Sequence, residues 1–308
     1  MFRFVMPDSM MPAEERRNHL IKQMDEFLNL DALKCVMQLL HTDFENLKTD
    51  YDLRTRGAGK VVEAQVLDPV KEIEKVRSEL YPLFDELGFF HINKPRSDRY
   101  SRVLVLGGTH SSCFTRTECG AHWRDSSTLS VDGLSCYRPI NPRERKSSRF
   151  RSSADTEFGV LSDAFANTFE LKREVFEEDF SSDRNLNSIS NIRKYVDEND
   201  GSIYRIYAAP SREPEMRRAD TGDTLKFYYD NAGVSSGESI LAVTNNLYCN
   251  RQLLQLAHFI IEEGIDVDLD VIGCDPDEIV ATPQSYTIIL YIQEIIGILD
   301  WIDRFKAE

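Results

Sequence analysis

RVLVLGG, residues 102–108, is a continuous apolar run that ends in two glycines, and it decides the expected fold. A strand that is apolar on both faces is typical of a parallel sheet covered by helices on both sides. Similar runs lie at 203–209, 240–244 and 268–272, and proline, asparagine or glycine follows each of them. These patterns predict an α/β fold, a Rossmann-like three-layer structure with a mainly parallel sheet.

Segments with helical spacing follow these strands, at 157–170, 221–232, 250–263 and 284–305. The N-terminal part is different, because residues 13–95 carry helical patterns throughout. There, a third helix is expected to begin after Asp68-Pro69 and to place its apolar residues, up to Leu87, on one stripe. We therefore predict a helical N-terminal cap or interaction region over 1–95 and the α/β domain over 96–308.

The composition excludes several classes of partner. The 308 residues carry 37 Lys and Arg against 52 Asp and Glu, a formal net charge of −15. Such a charge repels phosphate backbones and anionic lipid, so we expect neither nucleic acid nor a membrane as partner. No signal peptide or membrane-spanning run is evident, and the six cysteines stand singly, without the spacing of zinc sites or disulfide frameworks. The sequence therefore predicts a cytoplasmic protein and gives no oligomeric state.

The residues after each apolar run form the candidate site, because ligands of open α/β sheets bind outside the carboxyl ends of the strands. The first set is Gly107, Gly108, Thr109 and His110, followed by Arg116. Glycines allow a ligand to approach the backbone, and hydroxyl and amide groups suit an anion. A tight turn without a ligand explains this loop equally well.

The second set, residues 217–224, holds two arginines, two acids and two threonines. Asp220 or Thr221 would cap the following helix. A cap does not explain Arg218 and Asp223 as well, so the segment favours a ligand.

The third set is Thr244 and Asn245, followed by Arg251 near the start of the next helix. An arginine at that end opposes the helix dipole. This unfavourable position indicates a partner, which is either a carboxylate or a bound anion.

A basic segment precedes the helix predicted at 157–170. Between 138 and 151 one acid accompanies six basic residues, Arg138, Arg143, Arg145, Lys146, Arg149 and Arg151. Such a run is typical of a solvated loop, and it also suits a mobile lid over an anionic ligand. The sequence leaves both interpretations open.

Together these signatures resemble the SanA/YdcF/ElyC family, a bacterial domain of largely unknown function. The resemblance covers residues 100–308, and its matches are Val105 to Gly108, Glu157, Asp220-Thr221 with Thr224, Val243-Thr244 with Arg251, and Glu294 in the closing helix. Two positions depart from the pattern: Tyr248 stands where the family usually has His, and residues 134–137 replace its Ser-Gly-Gly strand. Tyrosine titrates near pH 10, so any proton transfer expected of that His would be lost or altered. The resemblance implies a Rossmann-like YdcF-type domain with a polar cleft at the strand ends, and no settled reaction.

The leading hypothesis is a protein that binds a small anionic ligand, phosphorylated or nucleotide-like, in this cleft. The expected ligand-binding residues are Gly107, Gly108, Thr109, Arg116, Arg218, Thr221, Thr244, Asn245 and Arg251. Candidate catalytic residues are Glu157, Asp220, Asp223 and His110, which would orient arginines, hold hydroxyls or act as base. Whether the protein is an enzyme stays open. The cofactor stays open too, with a nucleotide-like ligand or S-adenosylmethionine as candidates.

Three alternatives compete with this hypothesis. A non-enzymatic interaction or regulatory protein would dock a partner on its helical N-terminal region and keep only a vestigial cleft. A nucleophile at Ser111 or Cys113 would need its side chain to face His110. The side chains of sequence neighbours on a loop often point apart. A metal site at His110 and His122 lacks a paired-histidine motif, so no metal is expected.

Overall fold

The structure, a computed structural model, describes residues 1–52, 70–90, 94–125, 127–144, 152–171, 174–179, 185–197, 199–274 and 286–307. Five helices within these ranges precede the sheet: α1 (Ala13–Leu28), α2 (Asp31–Leu39), α3 (Leu47–Tyr51), α4 (Lys71–Glu74) and α5 (Arg77–Glu86). The elements that follow are β1 (Arg102–Leu106), α6 (His110–Ala121), β2 (Ser130–Ser135), α7 (Glu157–Thr168), β3 (Glu174–Asp179), β4 (Asn191–Val196), β5 (Ile203–Ala208), α8 (Thr221–Ala232), β6 (Glu238–Asn245), α9 (Cys249–Glu262), β7 (Val267–Cys274) and α10 (Ile288–Ala307).

The seven strands described form one sheet in the order β3-β4-β5-β2-β1-β6-β7. Strands β5, β2, β1, β6 and β7 pair in parallel, whereas β4 is antiparallel to both of its neighbours. Helices cover both faces of this sheet. The predicted Rossmann-like α/β fold with a mainly parallel sheet is therefore confirmed.

The apolar runs predict four of the strands, β1, β5, β6 and β7, and the helical segments predict α7 to α10. The sequence pattern does not reveal β2 or β4, because apolar side chains make up no more than half of either strand, with Asp132 and Gly133 in the first and Arg193 and Lys194 in the second. It also does not reveal α6, since the residues after Gly108 were expected to form a loop. In the structure a helix begins directly at His110.

The single helix expected after Asp68-Pro69 is wrong, because the described part of that segment forms two helices, α4 and α5. The N–H groups of Lys75 and Val76 donate to carbonyls only three residues back, at 3.4 and 3.3 Å. This tighter hydrogen-bond spacing is typical of a helix end. Asp68-Pro69 itself lies outside the described residues.

The five parallel strands, numbered in chain order, lie in the order 3-2-1-4-5. The chain leaves β1 through α6 to reach β2 on one side and later returns through α8 to β6 on the other side. The order therefore reverses between β1 and β6. In open α/β sheets a crevice forms at this switch point, outside the carboxyl ends of the two strands.

Two hydrophobic cores lie on the two faces of the sheet. One contains residues of α6 and α7, and the other contains residues of α8, α9 and α10 together with the N-terminal helices. Leu20 and Phe27 of α1 and Phe84 of α5 are fully buried in this second core. The second core thus extends across the predicted boundary near residue 95, which itself stays a prediction. None of the described helices is long and apolar enough to cross a membrane.

Candidate functional site

A cleft of about 490 Å³ lies at the carboxyl ends of β1 and β2 and is closed laterally by α9 and α10. Nine of the residues predicted for the site line it: Gly107, Gly108, Thr109, Arg116, Glu157, Arg218, Asp220, Thr221 and Arg251. Their separation along the chain is large, and the parallel strands bring them together. This volume is in the range of ordinary small-molecule sites.

Arg116 ties the two strands of the switch point together. Its Nη1 donates to the carbonyl oxygen of Leu106 at 2.8 Å and to that of Gly107, and its Nε donates to Asn245 Oδ1 at 2.8 Å. The side chain is only 2% exposed, yet among the described residues no carboxylate pairs with it. A buried guanidinium without an anion is costly, and the neutral oxygens of Leu106, Gly107 and Asn245 are its acceptors here.

Gly108 makes this arrangement possible. A Cβ at that position would lie 3.1 Å from Arg116 Nη1 and 3.1 Å from Ser112 Cβ. The glycine therefore allows the guanidinium to lie directly against the backbone at the end of β1. Thr109 then precedes α6, and its hydroxyl contacts the Ser112 hydroxyl at 3.0 Å.

Glu157 stands at the start of α7 and faces the same glycine loop. Its Oε2 accepts from Arg138 Nε at 2.8 Å, and its Oε1 lies where a Cβ on Gly107 would approach it to 2.3 Å. Arg138 also pairs with Glu144 at 2.7 Å and donates to the Gly108 carbonyl at 2.6 Å. Glu157 is thus a nearly buried carboxylate with one oxygen held by Arg138 and the other beside the cleft.

The interpretation of 138–151 as a solvated loop or a lid is wrong for Arg138. Its side chain is buried and bonded to two carboxylates, Glu144 and Glu157. Arg138 therefore holds Glu157 in place without lining the cleft itself. The side chain of Arg143 and the residues Arg145, Lys146, Arg149 and Arg151 lie outside the described residues.

The start of α8 combines a helix cap with a cluster of charges. The Asp220 carboxylate accepts from the Asp223 N–H, and the Asp223 carboxylate accepts from the Asp220 N–H, both at 3.0 Å. This is a reciprocal capping box, which is the structural alternative that the sequence leaves open. Asp220 and Thr221 also line the cleft, whereas Asp223 lies behind them.

Asp223 is held by two arginines, Arg212 at 2.7 Å and Arg217 at 2.5 Å. Burial alone would raise the pKa of Asp223, but hydrogen bonds from Arg217, the Asp220 N–H and Arg212 hold that pKa below its ordinary value. A carboxylate stabilised in this way is a weak base. Its geometry therefore suits fixing the arginines better than accepting a proton.

Arg251 has the carboxylate partner that its unfavourable position at the helix start indicates. Its Nε lies 2.5 Å from Oε2 of Glu294, which is 1% exposed in α10. The contact depends on Gly297, because a Cβ there would lie 2.4 Å from Arg251 Cδ. The sequence gives a signal for this contact, a single glycine among isoleucines in a buried helix, but does not identify its partner.

Tyr248 lines the cleft between two cations. The guanidinium carbons of Arg116 and Arg251 lie 5.6 and 5.8 Å from its ring centroid. Both distances are typical of cation–π contacts. The tyrosine therefore supplies an aromatic face that links the two arginines.

Four predicted residues do not line the cleft: Thr244, Asn245, Asp223 and His110. Thr244 is fully buried, and Asn245 acts through its bond to Arg116. His110 is buried at the start of α6, with its ring 5.6 Å from that of Phe114. These residues surround the site without forming its surface.

The surroundings of Cys113 disfavour it as the nucleophile. Burial raises the pKa of Cys113 to about 12, so its reactive thiolate is not populated near neutral pH. Among the described residues, no group of three or more His, Cys, Asp or Glu side chains is arranged to hold a metal ion.

Sequence reasoning missed the second half of the cleft. Its wall comes from α9, α10 and the loop before α8, with Met216, Gln252, Gln255, Trp301 and Arg304. These positions do not follow a strand, so the rule that points to strand ends does not find them. The available signal is the pair Gln252 and Gln255, two polar side chains among the apolar residues of α9.

Comparisons with protein-family models, with curated proteins and with solved structures found no match. The resemblance to the SanA/YdcF/ElyC family therefore stays a prediction. Any function assigned to the cleft depends on its own geometry.

Proposed function

We propose that this protein binds a small anionic ligand, phosphorylated or nucleotide-like, in the cleft at the strand ends. The observation that carries the proposal is the guanidinium of Arg116, which is 2% exposed, lines the cleft and has no carboxylate partner within the described residues. A phosphate would supply the missing charge through charge-assisted hydrogen bonds. The switch point between β1 and β6 is also where ligands of this fold class bind.

The charge balance of the cleft supports a negative ligand. Its lining holds five arginines and five acids, so the totals cancel. Every one of these acids has a basic partner: Glu157 with Arg138, Glu213 and Asp220 with Arg217, Glu294 with Arg251, and Asp300 with Lys48. Arg116 and the exposed Arg304 form no such ion pair in the described structure. Arg116 and Arg304 are therefore the lining cations that an anionic ligand can pair with without displacing an ion pair in the described structure.

Of the four catalytic candidates, Glu157 has the geometry that best fits a role on the ligand. Its Oε1 lies beside Gly107, at the same end of the cleft as Arg116. A base in that position would contact the group that the arginine holds. The proposal concerns binding alone. A catalytic role for Glu157 would need a reaction observed with a compound that binds the cleft.

The alternative, a protein that docks a partner on its N-terminal helices, finds less support. Such docking needs an unpartnered apolar face. The apolar residues of α1 and α5, such as Leu20, Phe27 and Phe84, are buried in the core shared with α9 and α10. The described N-terminal helices thus use their apolar stripes inside the molecule.

The proposal is tested by binding measurements with inorganic phosphate, pyrophosphate and a panel of nucleoside mono- and diphosphates. We expect at least one compound to bind the wild type, and Arg116→Met to weaken that binding by about tenfold to hundredfold, since a hydrogen bond to a charged group contributes about 1.5–3 kcal/mol. Isothermal titration calorimetry measures both. Lys226→Ala, an exposed lysine of α8 away from the cleft, is the matched control.

Arg116→Met also removes bonds within the fold, so its folding must be checked by circular dichroism. Arg304→Ala provides a second variant, because Arg304 is exposed and outside the core. It should weaken the same binding by a smaller factor. Wild-type protein that binds none of the compounds, or folded Arg116→Met that binds as tightly as wild type, would refute the proposal.

A further inference from the structure

Two glutamines of α9, Gln252 and Gln255, line the cleft and carry side-chain oxygens that accept no hydrogen bond in the described structure. The two residues are only 6% and 4% exposed, and the side-chain oxygen of each is buried. Other buried side-chain atoms of the described chain also lack a partner, but these two belong to neighbouring turns of one helix at one cleft.

A ligand can make these bonds if each amide turns about its terminal bond, which exchanges its oxygen and nitrogen and brings the oxygen to the cleft. A carboxamide has an acceptor and a donor side by side, so it matches an edge of a ligand that offers the same two functions. Gln pairs in this way with the edge of adenine, and other nucleobases carry comparable edges. A phosphate group has no donor of this kind at neutral pH and cannot satisfy both functions of a carboxamide.

The surroundings of the two glutamines suit a flat apolar ring. Met216, which is 65% exposed, and the partly exposed Trp301 line the same cleft. The faces of a nucleobase stack on such side chains. The volume leaves room for more than an inorganic anion, because 490 Å³ corresponds to the liquid volume of about 16 water molecules at roughly 30 Å³ each.

We propose that Gln252 and Gln255 recognise the nucleobase of a nucleoside phosphate whose phosphate lies at Arg116. This inference rests on the proposed function and specifies its ligand class. The strand-end half of the cleft then binds charge, and the half formed by α9 and α10 selects the neutral part. Selectivity for nucleotides over other phosphates depends on the two glutamines.

The test compares nucleoside mono- and diphosphates with ribose 5-phosphate and pyrophosphate, on wild type and on the double variant Gln252→Leu/Gln255→Leu. We expect the wild type to bind its preferred nucleotide at least tenfold more tightly than ribose 5-phosphate. The double variant should lose most of this preference and keep its affinity for ribose 5-phosphate and pyrophosphate within about twofold. Calorimetry measures every pair, and Gln38→Leu, an exposed glutamine of α2, is the matched control.

A purely structural role predicts a different result. Leucine has a similar size and removes two unsatisfied polar groups, so we expect the ligand-free double variant to melt no lower than wild type. A lower melting temperature, together with weaker binding of every compound, would show that the glutamines only support the fold. If the double variant fails to fold, the single variants Gln252→Met and Gln255→Met are measured in the same way.

The possible failures are distinguishable. If wild type binds ribose 5-phosphate as tightly as every nucleotide, or if the double variant keeps the nucleotide preference, the inference is wrong and the proposed anion site stands. If no phosphate compound binds at all, the proposed function itself is wrong.

Discussion

At the scale of the residue, Gly297 leaves the space that the side chain of Arg251 occupies. Arg251 crosses α10 at this position to reach the buried Glu294, and a Cβ on residue 297 would lie 2.4 Å from Arg251 Cδ. A methyl group there either moves the arginine or bends the helix. Moving the arginine leaves a buried carboxylate without its partner, which is costly.

We therefore expect Gly297→Ala to lower the free energy of unfolding by about 1–3 kcal/mol, the usual cost of overpacking a buried position. Urea unfolding followed by circular dichroism measures this change. In the Arg251→Ala background the steric conflict is absent, and Ala favours a helix over Gly by up to about 1 kcal/mol. There the same substitution should be neutral or stabilising. Equal destabilisation in both backgrounds would contradict the proposed contact.

At the scale of the element, α8 shows how one side chain can serve both fold and site. Asp220 is the N-cap of this helix and also lines the cleft. Its carboxylate accepts the Asp223 N–H at 3.0 Å and lies 3.5 Å from Arg217, in a partly exposed ion pair that contributes little. Capping alone accounts for these contacts.

We expect Asp220→Ala to cost about 1 kcal/mol of stability, because Ala cannot accept the N–H of the first turn. Asn is as good an N-cap as Asp, so Asp220→Asn should keep both the melting temperature and the ligand affinity near wild type. Thermal unfolding and calorimetry check the two quantities. Asp230→Ala, at the exposed end of α8, is the control and should change stability by less than about 0.5 kcal/mol. Loss of binding in a stable Asp220→Asn would instead assign the carboxylate to the ligand.

The strands that this sequence reveals are those in which apolar side chains predominate. The runs that form β1 and β6 are apolar on both faces because helices cover them on both sides. Strand β2 occupies the centre of the same sheet and carries Asp132 and Gly133, so its pattern is broken. Gly133 fits there because Leu161 Cδ2 fills the space of its missing Cβ, at 2.9 Å. Such compensation by a distant residue is invisible in a local pattern.

The candidate site, like the set of strands, was predictable only in part. Strand-end residues such as Gly107 and Arg116 follow from the fold class, because a parallel sheet places all its carboxyl ends at one edge. The partners that fix them come from far along the chain: Arg138 holds Glu157, and Glu294 holds Arg251. One sequence does not indicate which acid meets which arginine. The pairing depends on the packing of whole elements.

At the scale of the whole molecule, residues before β1 are hydrogen-bonded to β7, the strand at one edge of the sheet. Arg3 Nη2 donates to Asp270 Oδ1 at 2.7 Å, and the Arg96 N–H donates to Asp270 Oδ2 at 2.6 Å. Asp270 lies in β7 and is buried. The chain before β1 thus closes over the strand that ends the sheet, and its helices cover the outer faces of α9 and α10.

This packing predicts that residues 96–308 do not fold alone. Deleting residues 1–95 exposes the apolar side chains of α9 and α10 that pack against α1, and it removes Arg3, one of the two arginines paired with Asp270. We expect the fragment to aggregate or to melt without a cooperative transition, as measured by gel filtration and circular dichroism. Phe4→Ala is a milder change to the same packing. Because Phe4 is fully buried, this substitution should lower the free energy of unfolding by about 3–5 kcal/mol. Val5→Ala, at an exposed neighbour, is its control. A monomeric fragment with a sharp thermal transition would show instead that the N-terminal helices are a separable cap.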